Sequence, residues 1–87
     1  MEQQLDYIKK KMRKEGVLSF YIGFEPYFIS RNRNSSWSLY KNIDGEHQKL
    51  KDFKNIEEVF AGKVLDGKTL EDLLIKEGNA FEFIIWP

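Results

Sequence analysis

The dipeptide Asp44-Gly45 lies between two runs of alternating character, Trp37 to Ile43 and Glu46 to Asp52. An Asp-Gly pair in that setting is a strong hairpin signal, because both central residues of a type I′ loop need positive φ. Counting outward from the loop pairs Ile43 with Glu46, Lys41 with Gln48, Leu39 with Leu50 and Trp37 with Asp52. This register predicts Leu39 and Leu50 together in the core. The opposite face then carries Ser38, Tyr40, Asn42, His47, Lys49 and Lys51.

The rest of the chain organises around that hairpin. Leu5, Ile8 and Met12 make an apolar stripe at helical spacing, and Gly16 stands where a left-handed cap would end the helix. From Val17 the period drops to two: Leu18, Phe20, Ile22 and Phe24 alternate with Ser19, Tyr21, Gly23 and Glu25. Pro26 breaks or splits this strand, extended character resumes over Tyr27 to Arg31, and Asn32 to Ser36 has the composition of a turn. Asn55 is placed as the N-cap of a short helix carrying Ile56, Val59 and Phe60. A second helix opens near Thr69 with Leu70, Leu73 and Leu74 on one side, and Ala80 to Trp86 forms a last strand.

The order α-β-β-β-α-α-β, with the first strand open to division in two, predicts one α+β domain over residues 1–87. Its helices pack on one face of a mainly antiparallel sheet of four to five strands, and the last strand pairs beside the first. Eighty-seven residues support one small core, and a content of 41% hydrophobic residues is well above that of a disordered chain.

Composition removes several chemistries. With no cysteine there are no disulfides, thiolate metal sites or thiol nucleophiles, which favours a reducing, cytoplasmic location. The N-terminal stretch MEQQLDYIKKKMRKEG lacks the apolar centre of a signal peptide, and its narrow apolar stripe does not suit a membrane-surface helix. The net charge of zero conceals an asymmetry: residues 1–43 hold eight basic and four acidic side chains, residues 44–87 six and ten. Such a dipole can attract a charged partner or a second copy.

One catalytic pattern matches by letter. Gly62-Lys63-Val64-Leu65-Asp66-Gly67-Lys68-Thr69 fits the phosphate-loop formula, which requires a buried strand before the loop and a helix after it. Here a helix precedes it, so the letters read instead as a cap at Gly62, a turn at Asp66-Gly67 and an N-cap at Thr69. His47 is the only histidine and reads as a solvated hairpin residue, while Glu57/Glu58 and Glu71/Asp72 sit where carboxylates cap helices. The expectation is a non-catalytic domain with no cofactor and no metal.

Two surfaces are candidates for binding. Tyr21, Tyr27, Ile29, Ile84 and Trp86 fall opposite the inferred core face, an apolar surplus of the kind that marks a protein partner or self-association. In the same last strand, Phe81, Phe83 and Ile85 point toward the core. The alternative is a single-stranded nucleic-acid platform of cations beside a stacking ring, formed by Arg31, Arg33, Tyr40, Lys49 and Lys51. A pI near 6.6 weighs against that alternative. The leading expectation is a small protein-interaction module: a homodimer, adaptor, inhibitor or immunity-type binder.

Overall fold

The computed structural model describes residues 2–83. A helix, α1 (Glu2–Glu15), leads into four consecutive strands, β1 (Val17–Ile22), β2 (Glu25–Arg31), β3 (Trp37–Ile43) and β4 (Glu46–Phe53). Two short helices, α2 (Ile56–Ala61) and α3 (Glu71–Lys76), precede β5 (Phe81–Glu82). The sheet runs β4-β3-β2-β1-β5, with every neighbouring pair antiparallel. The expected α+β architecture is present, the first strand is divided into β1 and β2, and the last strand lies beside β1.

The division arises at Gly23-Phe24. Ile22 pairs with Glu25, leaving these two residues as the loop, and Gly23 takes φ 64° while Phe24 does not share the positive φ. Glycine at the first central position is the requirement of a type II′ loop. Phe24 was expected to continue the core face of a long strand; it is instead wholly exposed at the loop tip. Asp44 and Gly45 take φ 52° and 83°, the two positive values of the type I′ loop expected there.

Residues paired directly across strands share a face, so the register defines the core. Leu18, Ile29 and Leu39 form one row, Phe20 and Tyr27 a second, and Trp37 and Phe53 a third. Ile8 and Met12 of α1, Val59 of α2, and Leu70, Leu73 and Leu74 at α3 close over these rows, and all are buried. Each large side chain fully buried in this way contributes about 1.5–3 kcal/mol. Phe81 and Phe83 are half-buried against the same cluster, on the side expected of them.

The β3–β4 register departs from the expectation at one point. Ile43 pairs with Glu46 and Lys41 with Gln48 as counted, but a bulge at Leu50 lets Lys49 face Tyr40 while Lys51 faces Leu39. Leu50 is therefore 40% exposed rather than buried, and Phe53, opposite Trp37, takes its place in the core. Phenylalanine buries more apolar area than leucine, so the bulge moves the larger side chain out of water. β4 is the sheet edge, exposed at its first seven residues. Lys49, Lys51 and the bulge are the devices that discourage a second chain from pairing there.

Local caps fix the helices. Gly16, at φ 82°, donates its N–H to Met12 O (2.8 Å), and its open side admits the Arg31 guanidinium, which donates to Arg13 O (2.7 Å). Asn55 Oδ1 accepts from Glu58 N (2.9 Å). Glu57 joins α2 to α1 by accepting from Lys9 (3.2 Å) and Arg13 (2.6 Å). Hydrogen bonding to Lys9 foremost holds its carboxyl below the usual glutamate range. α3 is wider than an α-helix, as Glu77 N donates to Asp72 O five residues back. No helix of the described residues is long and apolar enough to cross a membrane.

Candidate interaction surface

The helices cover one side of the sheet; the other side is built from the alternate residues. One row runs Glu82, Ser19, Phe28, Tyr40 and Lys49, and a flanking row runs Val17, Ser30, Ser38 and Asp52. On the other flank Tyr21 faces Pro26, and Asn42 faces His47. At the centre, Phe28 stacks on Tyr40 with ring centres 4.8 Å apart and planes at 13°, and His47 meets Phe28 edge-on at 4.7 Å. His47 is exposed, as expected of a hairpin residue, yet belongs to this aromatic cluster.

Toward one side, polar groups are fully engaged. Ser38, 1% exposed, accepts from Asn32 Nδ2 (2.9 Å) and donates to Asp52 Oδ1 (2.6 Å). That hydrogen bond, more than the Lys49 ammonium at 3.6 Å, lowers the Asp52 carboxyl pKa. Beside it lies an open groove of about 820 Å³ whose lining includes Arg33, Asn34, Ser36, Lys49, Lys54 and Glu58.

At the opposite end the two hairpin tips lie side by side. Phe24, Pro26 and Ile43 line an open groove of about 460 Å³ together with Glu25, Lys41 and Asp44. Phe24 is 101% exposed and Ile43 41%, and Tyr21 is 43% exposed on the adjoining face. Glu25 ties the tips together by accepting from Lys41 Nζ (3.2 Å) and from the Tyr27 hydroxyl (3.0 Å). The Lys41 hydrogen bond foremost depresses the Glu25 pKa, and the same bond raises that of Lys41. Burial, then the bond to Glu25, raises that of Tyr27.

The structure redistributes both candidate sets. Of the apolar set, Tyr21 lies on the face away from the helices, but Tyr27 and Ile29 are core residues, 6% and 0% exposed. The two-residue loop at Gly23-Phe24 sets their parity, placing them directly opposite Phe20 and Leu18. Ile84 and Trp86 lie outside the described residues, as does Ile85. Phe24 and Ile43 were missed as surface residues because each continues an apolar alternation. The fully exposed position of Phe24 was nonetheless readable from the Gly-X form of the loop.

Of the basic set, Tyr40 and Lys49 are neighbours on the face away from the helices, and Arg33 shares the large groove with Lys49. Lys51 is turned to the other face by the bulge, where it donates to Lys63 O (2.7 Å) and lies over the Phe53 ring. Arg31 is likewise on the covered side, capping α1 and lying over Trp37. The five residues therefore do not form one platform. Lys54, which lines the groove, was not in the set.

The phosphate-loop letters have other uses in the fold. Gly62 N donates to Glu58 O at the end of α2, and Asp66-Gly67 turns between bridged Leu65 and Lys68. Lys68 Nζ contacts Glu77 at 2.6 Å, and Thr69 and Asp72 cap each other's backbone N–H reciprocally (3.1 and 3.2 Å). No group of three or more metal-ligating side chains occurs among the described residues. No protein-family model, curated protein or solved structure matches the chain.

Proposed function

We propose that this domain is a small, non-catalytic protein-interaction module acting in the cytoplasm, as a homodimer, adaptor, inhibitor or immunity-type binder. The observation that carries the reading is the pair of hairpin tips, where Phe24 stands wholly in water beside Ile43 and Pro26. A large apolar side chain on a tight loop contributes nothing to its own fold, yet it is already ordered for insertion into a partner's pocket. The Glu25–Lys41–Tyr27 bonds beneath it hold the two tips in fixed relation. The absence of cysteine fits the cytoplasmic part of the reading. Phe24→Asp provides the test. It should abolish capture of a partner that the wild type retains from its native host, or convert a dimer to monomer in light scattering, with melting unchanged. Capture and oligomeric state that do not respond to the substitution would reject the tip as the contact.

A second reading, single-stranded nucleic-acid binding, draws on the groove that brings Arg33, Lys49 and Lys54 together near Tyr40. Binding of a labelled oligonucleotide should then weaken steeply with salt, with Lys49→Ala reducing the salt slope by about one. No binding at low salt removes this reading.

A further inference from the structure

α1 carries basic side chains on two flanks, and the fold supplies a carboxylate helix to only one of them. With Ile8 and Met12 turned to the core, helical periodicity sends Lys9 and Arg13 to one flank. Tyr7, Lys11 and Lys14 fall on the other, and Lys10 stands at the crest. On the first flank Lys9 and Arg13, one turn apart, share the Glu57 carboxylate of α2 at 3.2 and 2.6 Å. The Lys9 ammonium also lies 5.3 Å from the centre of the Phe60 ring. Lys10 and Lys14 repeat that one-turn spacing, but neither has an ion pair or a hydrogen bond from its side chain among the described residues. Like charges at this spacing destabilise a helix, so the pair does nothing for its own fold. Tyr7 is 57% exposed, and its ring meets Phe83 edge-on with centres 6.3 Å apart. Tyr7, Lys10, Lys11 and Lys14 line a recess of about 270 Å³. An aromatic ring and two ammonium groups thus repeat the Phe60–Lys9–Arg13 arrangement, without its carboxylate.

Charge and spacing select the occupant. Along α1, a rise of about 1.5 Å per residue puts the midpoint of Lys10 and Lys14 about 8 Å beyond Tyr7. A partner helix presents residues four apart on one face, about 6 Å along its axis, and a glutamate side chain spans the remainder. An apolar side chain against Tyr7 and a carboxylate between the two lysines can therefore be supplied by one helix, as α2 supplies Phe60 and Glu57 to the first flank. A polyanion is a poorer match. Glu15 already holds Lys11 at 3.7 Å, and the exposed Asp6 stands one turn before Lys10, so the open positive row is two charges long. Nucleic-acid backbones and anionic bilayers draw their affinity from many cations at once. We propose that this flank of α1 docks an acidic amphipathic helix of a protein partner, with a carboxylate between Lys10 and Lys14 and an apolar side chain against Tyr7. The proposal rests on the reading of the domain as a protein-interaction module, but not on the hairpin tips.

The experiment is a backbone ¹⁵N–¹H titration of the full chain with a capped, alanine-based helical peptide bearing a phenylalanine and a glutamate four residues to either side of it. Its glutamine counterpart, an oligothymidylate and phosphatidylserine vesicles are titrated in parallel. The glutamate peptide should give saturable shifts at Tyr7, Lys10, Lys11 and Lys14, and the glutamine peptide should bind about tenfold more weakly. Lys10→Glu and Lys14→Glu should each weaken the glutamate peptide by about tenfold and strengthen binding of a version with lysine in place of glutamate, a reversal that loss of folding cannot produce. Lys63→Glu, an equal change of net charge at an exposed residue outside the row, should leave binding within about twofold of the wild type. No saturable response, equal binding of the glutamine peptide, or an unaffected Lys14→Glu variant overturns the proposal. A stronger response of the same residues to the oligothymidylate or the vesicles overturns the protein partner in favour of a nucleic acid or a membrane. A nuclear Overhauser contact between the Tyr7 ring and the Trp86 indole in the free chain also overturns it, since the chain itself would then be the occupant. A silent titration alongside Phe24-dependent capture sinks this inference alone; a saturable one without such capture sinks the hairpin-tip reading alone.

Discussion

The β1–β2 and β3–β4 hairpins are both closed by two-residue loops with positive φ, and they nevertheless behave differently as structural units. β1–β2 pairs without interruption from Ile22–Glu25 to Val17–Ser30, and each of its strands buries three consecutive residues, Leu18 to Phe20 and Tyr27 to Ile29. β3–β4 carries a bulge, and its outer strand buries only Phe53. The difference follows from place in the sheet. β1 and β2 have neighbours on both sides, so any slip breaks two ladders; β4 has one neighbour and can absorb an extra residue. A hairpin's loop chemistry sets its closing pair, and its position decides how strictly the rest is enforced.

Deletions should separate the two most sharply. Removing Ser19 reverses the parity of one half of β1 and turns either Leu18 or Phe20 away from the core, so no cooperative unfolding transition should remain in circular dichroism. Removing Leu50 leaves Tyr40–Lys49, Leu39–Lys51 and Trp37–Phe53 as they are and eliminates only the bulge. That variant should fold with stability within about 1 kcal/mol of the wild type. A Leu50 deletion that unfolds would show the bulge to be required by the core.

Matched leucines give the next effect. Leu39→Ala, at a position with no exposure, should cost about 2–5 kcal/mol in urea unfolding, a large part of the total for a chain of this size. Leu50→Ala should cost within about 0.5 kcal/mol, as expected of a surface site. Between these two falls Gly23→Ala: φ 64° disfavours a side chain there, and a loss of roughly 1 kcal/mol is expected with nothing within 4 Å to clash. Equal costs at Leu39 and Leu50 would refute the bulged register.

The same contrast accounts for what was legible in the sequence. Asp44-Gly45 could be read because both residues, and the alternation on either side, pointed to one loop. Gly23-Phe24 was written just as locally, but Phe24 also extended the alternation of Leu18, Phe20 and Ile22, and periodicity concealed the turn. That one omission placed Tyr27 and Ile29 on the wrong face. The bulge at Leu50 has no local signature, since Leu50 itself fits the period; only the competing burial of Phe53 against Trp37 explains it. Of the surface, Tyr21, Tyr40, Lys49 and Arg33 were assigned to exposed positions from pattern alone.

The finest distinction lies in two depressed carboxylates, one at each hairpin. The Glu25 pKa is lowered chiefly by its bond to the Lys41 ammonium, and that of Asp52 chiefly by the Ser38 hydroxyl. A lowered folded-state pKa means stability present above the ordinary carboxylate range and lost as pH falls through the folded value. Lys41, whose pKa is raised, contributes fully below its ordinary value and loses that contribution as pH rises through the folded one. The Glu25 tie should therefore fail at both extremes, whereas Asp52 should fail only in acid. The melting difference between wild type and Glu25→Gln should be positive at pH 7, vanish toward pH 2 and shrink in 1 M salt, because Glu25 is well exposed and its partner is an ion. The effect of Asp52→Ala should persist in salt at pH 7, since it leaves the buried Ser38 hydroxyl without its acceptor. Should salt erase both differences alike, Lys49 rather than Ser38 would be what holds Asp52 in place.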